Sequence, residues 1–111
     1  MALTIGTHQY LRIHNKILDC ATITYDSSYP GGATHGYAVT ASLFGLSHID
    51  VLRVDVAYDT TNNAALTAVY NVSTGKIQLY WTGSAVSTQF LEITTATNVS
   101  TFQSQYMLIG W

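Results

Sequence analysis

Short runs in which apolar and polar residues alternate are the strongest constraint on how this chain folds. Between Leu52 and Tyr58 every second side chain is apolar, and Arg53 and Asp55 lie in the alternate positions. The same period recurs at 77–81. Because successive side chains of a strand point to opposite faces, this period predicts strands with one buried face and one solvated face.

Clusters of turn-forming residues separate these runs. Asp26–Gly32 contains the only proline and a glycine pair, Asp59–Asn63 is polar, and Ser73–Lys76 contains a glycine. Turns at intervals of about 8–12 residues are typical of β-sandwiches and barrels. We therefore predict strands at residues 4–13, 16–25, 36–39, 48–58, 64–72, 76–82, 88–94 and 103–109.

Strands at this spacing predict an all-β fold, in which residues 1–111 form a single-domain antiparallel β-sandwich of jelly-roll-like form. We expect at most one short helix, near 41–45, because Thr40 offers a cap and Gly45 a stop. A chain of 111 residues buries enough surface to need neither a disulfide nor a structural metal. Cys20, the only cysteine, lies inside a predicted strand, and we expect it to be buried and inert.

Charge is scarce in this chain and excludes several classes of partner. Only 9% of the residues are charged, four of them are Lys or Arg, and the formal net charge is −2. Nucleic-acid binding requires more cations than this to neutralise phosphates. No apolar run approaches the ~18 residues of a membrane span, and the first residues lack the features of a signal peptide. We therefore expect synthesis in a cytosol, no nucleic-acid partner and no membrane association.

The sequence contains no motif that indicates catalysis or cofactor binding. His48 and Asp50 share one strand face, but no third metal ligand lies near them in the sequence. The carboxylates form no evident pair at the spacing that a glycosidase needs. Nucleophile elbows and phosphate-binding glycine loops are absent from the sequence. We predict no metal, no cofactor and no enzymatic activity.

Aromatic residues are the best candidates for contacts with a partner protein. They make up 12% of the chain, and Tyr and Trp bury large areas while keeping a polar tip. We expect Tyr29 and Tyr37 to be exposed, because they flank the Pro-Gly-Gly turn. We expect Trp111 to pack against its own chain or against a neighbour.

The first part of the chain is a second candidate for partner contacts. Residues 3–13 carry little charge and form a predicted strand. An extended segment of this kind is suited to add a strand to the sheet of a neighbouring molecule. We therefore include Leu3 and Ile5 among the predicted partner-binding residues.

Several motifs, in a fixed order, give the chain a resemblance to a known family. The turn YDSSYPGG at 25–32 is followed by LFGL at 43–46 and IDVL at 49–52. A strand, turn and aromatic strand then occupy 70–79, and an apolar strand closes the chain at 106–110. In this order the motifs resemble small virion proteins of tailed bacteriophages, the head cement or decoration proteins.

The resemblance implies a β-sandwich on the capsid exterior of a virion. Such a protein binds the major capsid protein, cements neighbouring capsid subunits, and assembles as a dimer or trimer. No catalytic residue is carried over from the family. Two alternatives stay open: another structural component of a phage head or tail, and a carbohydrate-binding β-sandwich module, which the tyrosine and tryptophan content favours.

Overall fold

The computed structural model describes residues 3–59, 61–81 and 92–111, and 51% of the structure is strand. The strands are β1 Thr4–Ile5, β2 Gln9–Ile13, β3 Lys16–Thr24, β4 Tyr37–Ala38, β5 Ile49–Val54, β6 Ala57–Asp59, β7 Ala64–Asn71, β8 Lys76–Trp81 and β9 Gln103–Gly110. Two 3-10 turns, Gly32–Thr34 and Ala41–Phe44, supply the helical content of the described residues. None of these helices is long and apolar enough to cross a membrane.

The strands form one antiparallel sheet that curls into a half-barrel. Its order is β1-β3-β9-β6-β7-β8-β4, and β2 follows β1 along one edge of β3. β5 and β6 follow each other along the far edge of β9 in the same way. The prediction of an all-β, single-domain antiparallel fold is therefore confirmed.

Two of the predicted strands are each divided in the structure. The run 4–13 is split into β1 and β2, and 48–58 is split into β5 and β6. In the sequence, apolar and polar residues go on alternating between β5 and β6, so the period alone could not reveal the break between these two strands. The predicted strand 88–94 falls largely outside the described residues. In its described part, residues 92–94, Glu92 forms an isolated β-bridge with Tyr80.

The helix expected near 41–45 is the 3-10 turn Ala41–Phe44, which ends at Gly45 with a φ of 75°. The other turn, Gly32–Thr34, was not predicted, because a glycine pair in the sequence indicates only a loop. Phe44 closes the concave side of the sheet: it is fully buried, and its ring lies 4.9 Å from that of Tyr106.

The core fills the concave side of the curled sheet. Alternate residues of β3, β8 and β9 point into it, which is the pattern that the sequence predicted. Its largest fully buried apolar side chains, together with the ring of Tyr29, are Phe44, Ile23, Ile77, Leu79, Ile93, Leu108 and Val99.

Candidate interaction surface

Tyr29 and Tyr37 are buried, so the expectation that they are exposed is wrong. Tyr29 has no exposed surface; its hydroxyl donates to Glu92 Oε2 at 2.5 Å and accepts from the Leu79 N–H at 3.1 Å. The Tyr37 hydroxyl donates to Asp26 Oδ1 at 2.7 Å. Residues 32–35 of the turn between these tyrosines are exposed, but both tyrosines are buried in the core. A turn pattern in the sequence does not report side-chain direction.

This environment favours the neutral form of the Tyr29 and Tyr37 hydroxyls. Burial, reinforced by the hydrogen bond to Glu92, raises the pKa of Tyr29 well above its usual 10.0. Burial and the bond to Asp26 raise the pKa of Tyr37 in the same way. Both hydroxyls therefore act as hydrogen-bonding groups of the core and offer no surface to a partner.

Leu3 and Ile5 also contribute to the core. Leu3 is buried, and Ile5 is half-buried and packs against the core cluster. β1 pairs with β3 of its own sheet, with Ile5 opposite Ile23. Of the predicted docking segment, β2 is the part whose residues are all exposed.

Trp111 packs against its own chain and still keeps 46% of its surface exposed. Its ring lies 4.1 Å from the His48 imidazole, and the Lys16 ammonium lies 4.0 Å from the ring centroid. Its backbone N–H donates to the His48 carbonyl at 3.1 Å, and its backbone oxygen accepts from Ser47 and His48. Gly110 permits this approach, because a Cβ there would clash with the His48 carbonyl oxygen.

The pair His48 and Asp50, tested above as metal ligands, belongs to the surroundings of Trp111. Asp50 Oδ2 lies 2.6 Å from Lys16 Nζ, and Asp50 Oδ1 lies 3.4 Å from His48 Nε2. The described residues contain no group of three or more His, Cys, Asp or Glu side chains placed to hold a metal ion. Asp50 thus orients the cation that covers the Trp111 ring.

Exposed apolar side chains line up on the convex side of the sheet. Residues directly opposite one another on neighbouring strands share a face, and the register matches Leu11 with Leu18, then Leu18 with Ile109, then Ile109 with Val51. We call these residues the apolar row; in order across the sheet they are Leu11, Leu18, Ile109 and Val51. They run across four adjacent strands, β2, β3, β9 and β5.

The apolar row does not belong to the core. Leu11 is 55% exposed and Val51 46% exposed, while Leu18 and Ile109 are half-buried. None of the four is among the residues that form the core cluster or pack against it. Large contiguous apolar patches on the surface of a protein commonly mark sites that contact another molecule.

Less apolar residues flank the row on one side. Cys20 lies opposite Met107, which lies opposite Arg53, and these side chains line an open groove of about 770 Å³. Met107 is 42% exposed. Cys20 is half-buried rather than buried, which corrects the expectation, because its position in the alternation places it on the convex face.

The other side of the row continues to Trp111. Ile13 is 54% exposed and lies opposite Lys16, whose ammonium covers the Trp111 ring. Charged groups therefore stand at the margins of the face: Lys16 and Asp50 at this side, Arg53 at the other. An apolar centre with a polar rim is the usual organisation of a protein interface.

The apolar row was not predicted from the sequence as a surface. Alternation predicts that each strand has one apolar, buried face and one polar, solvated face. The sequence does contain one signal: in two places, Ile17-Leu18 and Met107-Leu108-Ile109, consecutive residues are apolar, so both faces of the strand carry apolar side chains. Only the strand register shows that these places are neighbours.

A buried carboxylate fixes the segment that precedes β2. Asp19 has no exposed surface, and its Oδ2 accepts from the Tyr106 hydroxyl at 2.7 Å and contacts His8 Nδ1 at 2.8 Å. Burial and the bond to Asp19 raise the pKa of Tyr106 above its usual 10.0. His8 also stacks on Tyr10 with ring centroids 4.9 Å apart, so this cluster anchors the start of β2 to the sheet.

Comparison with known proteins found no matching family model, no similar curated protein and no similar solved structure. The chemistry of the convex face is therefore the starting point for its interpretation. That face is weakly charged and apolar along a line of four strands.

Proposed function

We propose that this chain is a structural virion protein that binds the outer surface of a phage capsid and cements neighbouring major capsid protein subunits. The observation that carries the proposal is the apolar row, which crosses the convex face of the sheet and takes no part in the core cluster on the other side. The order of the motifs at 25–32, 43–46 and 49–52, which resembles head cement proteins, supports the identity of the partner.

Burying the apolar row would give a useful binding free energy at little entropic cost. Removing apolar surface from water contributes roughly 25 cal/mol per Å². Two of the four side chains lie on β3 and β9, which are paired on both edges and therefore already ordered. A preorganised surface loses little conformational freedom on binding, so more of the burial energy appears as affinity.

The scarcity of charge predicts how the attachment responds to salt. The chain has four cationic and six anionic side chains, and Lys16 and Asp50 are already paired with each other. Exposed ion pairs contribute only ~0–1 kcal/mol each and are screened by salt. We therefore expect attachment to the capsid to persist when the salt concentration is raised.

Many weak contacts suffice on a capsid lattice. A capsid presents the same site repeatedly, so a linked pair of binding units raises the effective concentration at the second site. The chain therefore needs no deep pocket and no catalytic group for this role.

A co-sedimentation experiment with capsids purified without this protein tests the proposal. Val51→Asp places a charge in the apolar row, whereas Val72→Asp makes the same change at a side chain that is 82% exposed in the turn after β7. We expect wild type and Val72→Asp to sediment with capsids, and Val51→Asp to stay in the supernatant. Thermal unfolding of each variant verifies that it is folded.

Two outcomes of this experiment would contradict the proposal. One is that the wild-type chain fails to bind capsids of its cognate phage. The other is that Val51→Asp and Val72→Asp bind equally well. Val51→Lys introduces the opposite charge at the same position, and its loss of binding would show that desolvation, rather than the sign of the charge, is responsible. The number of copies per particle separates a cement protein from a head or tail connector, which occurs in few copies.

A carbohydrate-binding module is the second candidate, because Trp81 is 47% and Trp111 46% exposed. Sugar platforms use exposed aromatic faces, but the Trp111 ring is already contacted by Lys16 and His48. A glycan array that detects binding, together with loss of that binding in Trp81→Ala, would favour this candidate over the capsid.

A further inference from the structure

Among the residues that the structure describes, the strand β2 has one unpaired edge. It pairs with β3 on one side, and no other described strand pairs with it. All five of its residues are exposed. The unpaired N–H and C=O groups of such an edge are a template for another strand, and natural proteins usually shield them.

The hairpin geometry shows which backbone groups face outward. A two-residue turn, His14 and Asn15, joins β2 to β3, so Ile13 and Lys16 form the closing hydrogen-bonded pair. Hydrogen-bonded and non-hydrogen-bonded pairs alternate along an antiparallel ladder. Tyr10 and Arg12 are therefore in non-hydrogen-bonded pairs with β3, and their backbone groups point to the free edge.

We propose that a second copy of this chain pairs with this edge, β2 against β2, antiparallel about a two-fold axis at Leu11. In that register Tyr10 of each copy lies opposite Arg12 of the other. Their outward N–H and C=O groups then meet and form about four new backbone hydrogen bonds. Leu11 lies opposite Leu11 of the second copy, and Gln9 lies opposite Ile13.

The side chains of β2 are complementary to themselves in this register. Arg12 is exposed and makes no ion pair or hydrogen bond with any residue that the structure describes. Tyr10, 55% exposed, presents an aromatic ring on the same face of the strand. A guanidinium over an aromatic ring is favourable, and arginine is the cation most often found there.

Other two-fold registers of β2 fit less well. An axis at Arg12 places the two guanidinium groups directly opposite each other, and like charges in that position are destabilising. An axis at Tyr10 places Arg12 opposite His8, which is occupied by Asp19 and Tyr106. The axis at Leu11 alone pairs leucine with leucine and each tyrosine with an arginine.

The pairing joins the two apolar rows into one. Leu11 stands at the free edge of each row, so the joined sheets carry a continuous line from Val51 of one copy to Val51 of the other. A closed two-fold contact of this kind pairs the β2 edges of the two copies with each other, so neither β2 edge stays open for further growth. The dimer itself is independent of any capsid, but its consequence, a bivalent adhesive face, rests on the proposed function.

Oxidative cross-linking tests the register. In a Cys20→Ser background, Leu11→Cys places two thiols in a non-hydrogen-bonded pair, where Cα atoms are about 4.5 Å apart and a disulfide can form. Ile13→Cys is the matched control, since Ile13 is 54% exposed, close to the 55% of Leu11. The two copies of residue 13 would be separated by four residues along the strands, about 13 Å.

With oxidised glutathione as the oxidant, we expect Leu11→Cys to become a covalent dimer and Ile13→Cys to stay monomeric on a denaturing gel. Equal cross-linking of both variants, or cross-linking of Ile13→Cys alone, would overturn the register.

Sedimentation velocity of the unmodified chain tests the dimer itself. Arg12→Pro removes the outward N–H, and because that group is not bonded to β3, proline is tolerated there as on other sheet edges. We expect wild type and Arg12→Lys to sediment as dimers and Arg12→Pro as a folded monomer. A monomeric wild type, or an Arg12→Pro variant that stays dimeric, would overturn the proposal.

These outcomes are separable from those of the capsid experiment. The dimer is measured without capsids, and Val51→Asp leaves β2 unchanged, so it is expected to remain dimeric while losing capsid attachment. A dimeric wild type that ignores capsids would refute the proposed function and leave the dimer standing.

Discussion

Polar and apolar groups are distributed in opposite ways on the concave and convex sides of this sheet. On the concave side, tyrosine hydroxyls are buried and bonded: Tyr25 to Ser104 at 2.8 Å, and Tyr106 to Asp19 at 2.7 Å. On the convex side, the apolar side chains of Leu11 and Val51 face solvent with no covering element in the described chain. The residues of the apolar row take no part in the core cluster, so the proposed contact would not disturb the core.

The concave side gains its rigidity from satisfied polar tips. A buried hydroxyl without a partner costs about 1–3 kcal/mol, so each of these bonds fixes the position of its ring. Burial raises the pKa of Tyr25 to about 12, although its bond to Ser104 opposes the shift. The described residues form no comparable side-chain network along the apolar row, whose strands are held by backbone pairing.

Truncation of a core ring should have the largest effect on stability. Phe44→Ala removes a fully buried side chain that packs on Tyr106, and we expect it to lower the free energy of unfolding by about 3–5 kcal/mol. Val51→Ala, on the convex side, should cost less than about 1 kcal/mol. Chemical denaturation measures both. Comparable losses for the two variants would show that the convex residues belong to the core after all.

Removing one hydroxyl should have a smaller effect that again depends on the side of the sheet. Tyr29→Phe removes the hydroxyl that bonds to Glu92 Oε2 and to the Leu79 N–H, and we expect a loss of about 1–3 kcal/mol. Tyr58→Phe makes the same change where the hydroxyl bonds to Asn63 in an exposed setting, so its cost should be below about 0.5 kcal/mol. If thermal melting shifts equally for both, the buried network does not stabilise the fold.

The smallest effect expected on the concave side is a dependence of the free energy of unfolding on pH. Hydrogen bonds from Asn62 and Thr101 lower the pKa of Asp59 below its usual 3.8. Partial burial would raise the pKa of Glu92, but hydrogen bonds from Tyr29 and His35 outweigh it and lower the value below 4.5.

Because ionisation of these two carboxyls favours the folded state, their contribution is complete above about pH 5 and is lost as the pH falls through the folded-state values. Melting temperatures measured between neutral and acidic pH should decline below that point. In the double variant Asp59→Asn and Glu92→Gln the decline should be shallower. An unchanged slope in the double variant would mean that other groups control the acid response.

The sequence predicted the concave side better than the convex side. Alternation identified β9 at 103–109 against the observed Gln103–Gly110, because that strand has one buried face. It failed for Tyr29, whose ring returns to the core from a turn. It also failed for the apolar row, because Leu11, Leu18, Val51 and Ile109 lie far apart in the chain and meet only through strand pairing. Local patterns report which face a residue occupies, and the register alone reports its neighbours.

Cysteine footprinting of the capsid-bound chain tests the central claim most directly. In a Cys20→Ser background, Val51→Cys places a thiol in the apolar row and Val72→Cys places one in the turn after β7, where the native side chain is 82% exposed. The rate of maleimide labelling is measured for each variant, free and bound to capsids. We predict that binding slows the labelling of Val51→Cys severalfold and leaves Val72→Cys unchanged. Unchanged labelling of Val51→Cys, with protection of Val72→Cys, would contradict the assignment of the convex face as the adhesive surface.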